Sequence, residues 1–279
     1  MSIIEDPPLD AEKLEQFVFR AVDEVGATLN AALVVMGDRL GLYRALAGAG
    51  ALTSGELAAR TGAGERYVRE WLNAQAAGGF VEYHPTEGRY SLAPEQAVAL
   101  TDEDSPAYLP GFFQIALGSV LDSPRITDAM RSGAGVGWHE HNHDVHDGCE
   151  RFFRPGYNAN LIASWLPALT GVVDRLQRGA RVADVGCGHG ASTILMAGAF
   201  PNSTFIGSDY HAGSIETARR RAADAAVDER VRFEATPAPE GTFVLAVIEG
   251  PDRGRTFVLD GSAPALLGTG TTSTVRLDD

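Results

Sequence analysis

The residues best placed to do chemistry are Asp184-Val-Gly186-Cys-Gly188-His-Gly190 and, 25 positions after the first carboxylate, Asp209. Glycines let a backbone turn tightly and approach a ligand without a Cβ clash. The stretch follows the β-branched run Arg181-Val-Ala-Asp-Val185 and opens the apolar helical run from Ala191, the strand–turn–helix setting such a loop needs. Asp209 closes the next strand, Thr204-Phe-Ile-Gly-Ser208, where a ribose diol would lie in a nucleotide cleft. Loop and acid together describe an adenosine site. A glycine triplet alone says less, because dinucleotide enzymes and plain tight turns share it. Those enzymes favour Gly-x-Gly-x-x-Gly; here the third glycine comes one residue earlier, so a nicotinamide reading is secondary.

A second cluster is His139, His141, His143 and His146. In a continuous helix, His139, His143 and His146 would share one face, as a metal clip or as bases working near neutral pH. A solvated polar connector is the better reading of the residues themselves, ahead of a base and of a metal site. Cys187 could be a thiol nucleophile, but a small space-filling residue inside the loop is the better reading. Trp71, Trp165 and the Phe152-Phe153 pair are expected in the core.

Several elements must position these groups. Ala11 to Leu46 has helical apolar spacing, with a break expected from Gly26, Gly37 and Gly41. Thr53-Ser-Gly-Glu56 is a capping box for a helix to about Arg60, and Glu65 to Ala77 is a second helix. Val81 to Tyr83 and Arg89 to Leu92 form a hairpin, completing the order of a winged helix. Residues 101–170 form a helical connector. Arg181–Val185, Ala191–Phe200, Thr204–Ser208, Ser214–Ala226 and Val231–Ala235 then alternate as βαβαβ, which predicts a parallel sheet. After Thr236 the alternation stops, and the segments around Phe243–Ile248, Thr256–Leu259 and Val275–Leu277 read as β-hairpins. The expected fold class is therefore α/β: a winged helix-turn-helix over 1–100, the connector, a partial Rossmann-like sheet over 171–236, and a β-hairpin tail over 237–279.

Composition narrows the partners. A net charge of −14 disfavours nucleic acid and anionic membrane, leaving a small molecule as the default. Two cysteines, the absence of a basic leader and the lack of a membrane-length apolar run fit a cytoplasmic protein.

With Asp184-Val-Gly-Cys-Gly-His-Gly190 as first motif, the chain resembles the class I S-adenosylmethionine-dependent methyltransferases. Phe152-Phe-Arg-Pro-Gly-Tyr157, Trp165-Leu-Pro-Ala-Leu169, Ala199-Phe-Pro201 and Ser208-Asp-Tyr-His211 are closer still to a bacterial and mycobacterial subfamily with an N-terminal winged helix. That likeness covers Ala11 to about Glu234. It implies a small-molecule methyltransferase, a homodimer, with S-adenosyl-L-methionine as cofactor. The implied cofactor contacts are Asp184, Gly186, Cys187, Gly188, Gly190, Asp209 and Tyr210. Gly186, Gly188 and Gly190 would face the methionine part, Asp184 would brace the loop and Asp209 would take the ribose hydroxyls. His139 and His143 would line the active-site cleft as catalytic candidates, with no metal.

The rival function is DNA binding. Residues 1–100 hold 8 Lys+Arg against 14 Asp+Glu, a net of −6, and the candidate recognition helix pairs Arg66 and Arg69 with Glu65 and Glu70. A DNA reader should carry a basic stripe instead. Residues 245–279 resemble the opening strands of a bacterial forkhead-associated domain, a phosphothreonine binder. Where that family has an Arg after a glycine, Thr269 follows Gly268 here, and the sequence ends before its later Ser and His. A complete class I sheet continues with a fourth strand beside the first. Only Thr236 to Gly241 precede the next strand, too few for a crossover, so the catalytic domain reads as truncated.

Overall fold

The computed structural model describes residues 9–236 and the backbone of four short strands beyond them. It divides into two units, residues 1–136 with 140–152 and residues 137–139 with 153–279.

In the first unit, α1 (Ala11–Arg39) starts where the Asp10 side chain accepts the amides of Glu12 and Lys13. The expected break falls at Leu40–Gly41, before α2 (Leu42–Leu46); Gly26 and Gly37 lie within the helix. The capping box forms as read. Thr53 Oγ accepts the Glu56 amide at 3.2 Å, and the Glu56 carboxylate takes the Thr53 amide at 2.8 Å, opening α3 (Ser54–Thr61). Then come α4 (Glu65–Ala77) and the antiparallel hairpin β1 (Glu82–His84) and β2 (Arg89–Ser91). Val34, Leu42, Leu57 and Leu72 are fully buried between these helices, and Tyr43 meets Trp71 edge-on at 5.0 Å.

The connector resolves into α5 (Pro94–Thr101), α6 (Pro110–Leu121), α7 (Ser123–Ser132) and a 3₁₀ turn (Trp138–Glu140), followed by α8 (His143–Asn160). Within the first unit, α6 and the start of α8 touch backbone to backbone. A Cβ at Gly148 would lie 2.8 Å from the Gly111 carbonyl, so no larger residue fits. A polar network locks the same contact: Asp144 accepts from Gln114 at 2.8 Å and from Arg39, while Arg151 spans Asp38 and Gln114 at 2.8 and 2.9 Å.

The second unit holds a π-helical turn (Leu161–Trp165), α9 (Leu166–Ala168) and α10 (Val172–Arg178). The sheet alternates as β3 (Arg181–Val185), α11 (Ala191–Ala199), β4 (Thr204–Asp209), α12 (Ala212–Asp224) and β5 (Val231–Ala235). Pairing is parallel in the order β3-β4-β5, with Asp184 opposite Gly207 and Asp209 opposite Ala235. Phe205, Ile215, Ala218 and Phe233 close the core. The α/β reading of the chain thus stands.

Two expectations need correction here. Trp165 and Phe153 are not core residues: they are 47% and 51% exposed, and Trp165 ends the π-helical turn, whose extra residue shifts which face its side chains present. In the tail, β6 (Thr242–Ala246) and β7 (Thr256–Asp260) do form an antiparallel hairpin. However, β8 (Leu267–Gly268) and β9 (Val275–Arg276) pair in parallel and so are not a hairpin. Thr269 lies outside the described residues.

Candidate functional site

The glycine loop closes β3 and is tied to β4 through main-chain bonds. The amides of Gly186 and Cys187 both donate to the Ser208 carbonyl, at 2.7 and 3.1 Å. Asp209, buried at the end of β4, accepts the Gly188 amide on one oxygen at 3.0 Å and the His211 amide on the other at 2.8 Å. A carboxylate oxygen has two lone-pair directions, so these bonds orient the group without exhausting it.

The three loop glycines divide into two roles. Gly186 and Gly188 hold φ of +76° and +54°, and a Cβ on either would meet nothing within 4 Å, so the loop's backbone is approachable there. Gly190 is different. Its Cβ would lie 2.6 Å from the Phe233 ring and 3.0 Å from Ala218, so that side of the residue faces the core. The same ring fills the space a Cβ at Gly207 would need, at 2.4 Å. Phe233 is thus a wedge from β5 beneath the loop.

Asp184 turns toward α11. One of its oxygens accepts the hydroxyls of Ser192 and Thr193, at 2.7 and 2.6 Å, which joins the strand before the loop to the helix after it. The two hydroxyl residues were not singled out from the sequence, although their place in the first turn after a glycine loop was a usable signal. Cys187 is buried, and its thiol is pushed up to about 12, by burial first and then by the Asp184 and Asp209 carboxylates. A thiol held protonated is a space filler, not a nucleophile.

The histidines do not form one helical face. The 3₁₀ turn ends at Glu140 and α8 begins at His143, so the continuous helix on which a shared face depended is absent. His139 belongs to the second unit, where its amide donates to the Tyr210 hydroxyl at 3.1 Å and its ring meets Tyr210 edge-on at 5.5 Å. His143 belongs to the first unit, exposed and 3.7 Å from Asp144. His141 contacts Asp122 at 2.8 Å, at the junction of α6 and α7. Among the described residues, no group of three or more His, Cys, Asp or Glu could hold a metal ion. Tyr157 packs edge-on against Trp165 at 6.0 Å.

On the winged-helix unit, two arginines that might have met phosphates, Arg69 and Arg89, are engaged internally. Arg69 forms a two-pronged contact with Glu65, at 3.0 and 2.6 Å, and Arg89 does so with Glu56, at 2.8 and 3.3 Å. Among the described residues no helix is long and apolar enough to cross a membrane.

Residues 28–102 match the family described as Rv2258c-like winged HTH domain, and residues 176–242 match the one described as methyltransferase domain. No curated protein matches the chain. Among solved structures, a Nostoc punctiforme protein described as an O-methyltransferase is similar with a TM-score of 0.57 at 20% identity, covering 84% of this chain and 66% of that one. PigF with SAH has a TM-score of 0.57 at 18% identity, covering 81% and 65%. The mitomycin 7-O-methyltransferase MmcR has 0.55 at 18%, covering 82% and 68%. The chain spans about two thirds of the length of these structures. At such identities the likeness is one of fold: a winged helix-turn-helix domain followed by a methyltransferase domain.

Proposed function

We propose that the second unit binds S-adenosylmethionine and that the chain methylates a small molecule, as a cytoplasmic enzyme. The carrying observation is the Asp209 carboxylate, buried at the mouth of β4 and held by the Gly188 amide of a loop whose backbone is open at Gly186 and Gly188. These residues fit the cofactor. An aligned carboxylate with unused lone pairs suits a ribose diol, and two glycines without neighbours admit a ligand against the backbone. Asp209 would accept the ribose hydroxyls, Gly186 and Gly188 would lie along the amino-acid portion, and Tyr210 would flank it. Asp184 would act through Ser192 and Thr193, fixing the loop's two ends.

The cofactor, when bound, supplies an activated methyl group. What the protein must add is alignment, together with a base if the acceptor is a hydroxyl. His139, beside Tyr210, and His143 are the candidates for that base; His139 shares a unit with the loop. The match of residues 176–242 to a methyltransferase domain supports the chemistry, and the paired arginines of the winged helix argue against a DNA-binding role. We further take the catalytic domain as shortened and the tail as a separate, forkhead-associated-like piece.

Calorimetry with S-adenosylmethionine, S-adenosylhomocysteine and NAD tests the reading. Saturable binding of the first two is expected. No binding to a folded protein, or tighter binding of NAD, would sink it.

A further inference from the structure

Asp122 ends α6 and begins α7, and it also holds the chain where that chain returns. Its two carboxylate oxygens both accept the Asn142 amide, each at 3.0 Å, and His141 Nδ1 lies 2.8 Å from one of them. Asp122 is buried, and all three residues belong to the first unit. Residues 123–140 are therefore an excursion closed at its base. Its outward limb is α7, a helix of 10 residues with Pro124 in its first turn and Gly133, at a φ of +75°, at its end; none of its residues is buried. A helix that short is marginal in water by itself. From Ser123 to Gly135 every residue but Ala129 is exposed, and a Cβ at Gly133 or Gly135 would meet nothing within 4 Å.

The tip of the excursion is anchored elsewhere. Gly137–His139 belongs to the second unit, where the His139 amide donates to the Tyr210 hydroxyl at 3.1 Å and the two rings meet edge-on. Tyr210 directly follows Asp209. A segment held at its root and its tip but unburied between them has the makings of a gate, because elements that move are drawn from the least buried parts of a fold.

We propose that residues 123–140 are a strap over the adenosine end of the cofactor cleft, with the His139–Tyr210 hydrogen bond as its latch and Asp122 as its root. The proposal rests on the reading of Asp209 and the glycine loop as the cofactor site, and adds to that site a segment from outside the sheet. His139 acts here through its backbone amide, as a positioning residue that fixes the Tyr210 ring beside the carboxylate. Asp122 acts through the strap. Joining the ends of the excursion removes chain freedom that docking the tip would otherwise cost.

Two variants attack the two ends. Tyr210→Phe removes the acceptor of the latch and keeps the ring; Asp122→Ala opens the root without touching a residue assigned to the cofactor. Stopped-flow measurement of S-adenosylhomocysteine release should give a rate about 10-fold higher for each, the equivalent of one lost hydrogen bond. The double variant should stay near that value, well short of the roughly 100-fold that independent effects would give, because one strap cannot be freed twice. Trypsin reads the strap itself. Arg125 and Arg131 lie on α7, and saturating S-adenosylhomocysteine should slow cleavage there several-fold in the wild type but in neither variant. Unchanged release from either variant, even with a lowered melting temperature, would make these contacts merely structural and overturn the proposal. A double variant showing the full product of the two effects, or α7 cleavage in the wild type indifferent to ligand, would overturn it too. Calorimetry keeps the two readings apart: a wild type that does not bind S-adenosylhomocysteine brings down the cofactor reading and the strap with it, whereas normal binding with unchanged release brings down the strap alone.

Discussion

The carboxylate of Asp209 takes the amide of Gly188 at 3.0 Å, so the acid after the second parallel strand and the glycine loop after the first are one hydrogen-bonded piece. Removing that acid should therefore do two things. Asp209→Ala is expected to weaken S-adenosylhomocysteine by roughly 1–3 kcal/mol, the cost of losing a charged hydrogen-bond partner. It should also speed amide exchange at Gly188 with no ligand present. Calorimetry reads the first and hydrogen-exchange mass spectrometry the second. Unchanged exchange would mean that Asp209 does not hold the loop.

Gly190 and Gly188 should respond differently to alanine. At Gly188 only the positive φ opposes a side chain, a cost of about 1 kcal/mol. At Gly190 the φ of +77° is joined by a Cβ 2.6 Å from Phe233, and overpacking adds roughly 1–3 kcal/mol. Thermal denaturation of Gly190→Ala should thus show the larger loss, and Phe233→Leu should recover part of it. Equal losses would mean that the Phe233 wedge does not matter.

Asp144 should make the first unit acid-sensitive. Its burial alone would raise the carboxyl, but hydrogen bonds from Gln114 and Arg39 outweigh this and leave it below its ordinary value of 3.8. A carboxyl lowered by folding stabilises fully above its unfolded value, and the stabilisation is lost as pH falls from there through the folded value. Wild type should therefore lose more stability than Asp144→Asn as the pH drops through that window. Parallel pH profiles for the two proteins would contradict this.

The winged helix is expected not to bind DNA usefully, since its net charge is −6 over residues 1–100 and Arg69 and Arg89 are committed to Glu65 and Glu56. A mobility-shift assay at low salt should show no saturable complex. Binding that falls steeply with added salt would restore the regulator reading.

Turnover should be slow relative to cofactor binding. Among the described residues β3 forms one edge of its sheet, and Val185, next to the loop, is 71% exposed. An edge strand is held from one side only, and misplacement of reacting groups by about 1 Å can cost on the order of 100-fold in rate. Replacing the residues after Glu234 with the matching half of a complete homologue should raise both the melting temperature and the rate with an acceptor suited to it. An ordinary enzymatic rate from the unaltered chain would show that something else supports β3.

The sequence by itself determined the elements whose causes are local. Glu65–Ala77, Arg181–Val185 and Val231–Ala235 were read with the bounds the structure shows, because apolar period and flanking turn residues settle them within a few positions. The Thr53–Glu56 capping box was legible for the same reason: its partners are three residues apart. Asp209 and Gly188 could be named as site residues, yet their hydrogen bond could not, since it depends on β3 and β4 pairing in parallel. Only the tertiary structure decided that Gly190 serves Phe233, that Asp184 serves Ser192 and Thr193, and that His139 and His143 belong to different units. Each of these depends on which surface of one element meets another, and a side chain's neighbours across such a contact leave no period in the sequence.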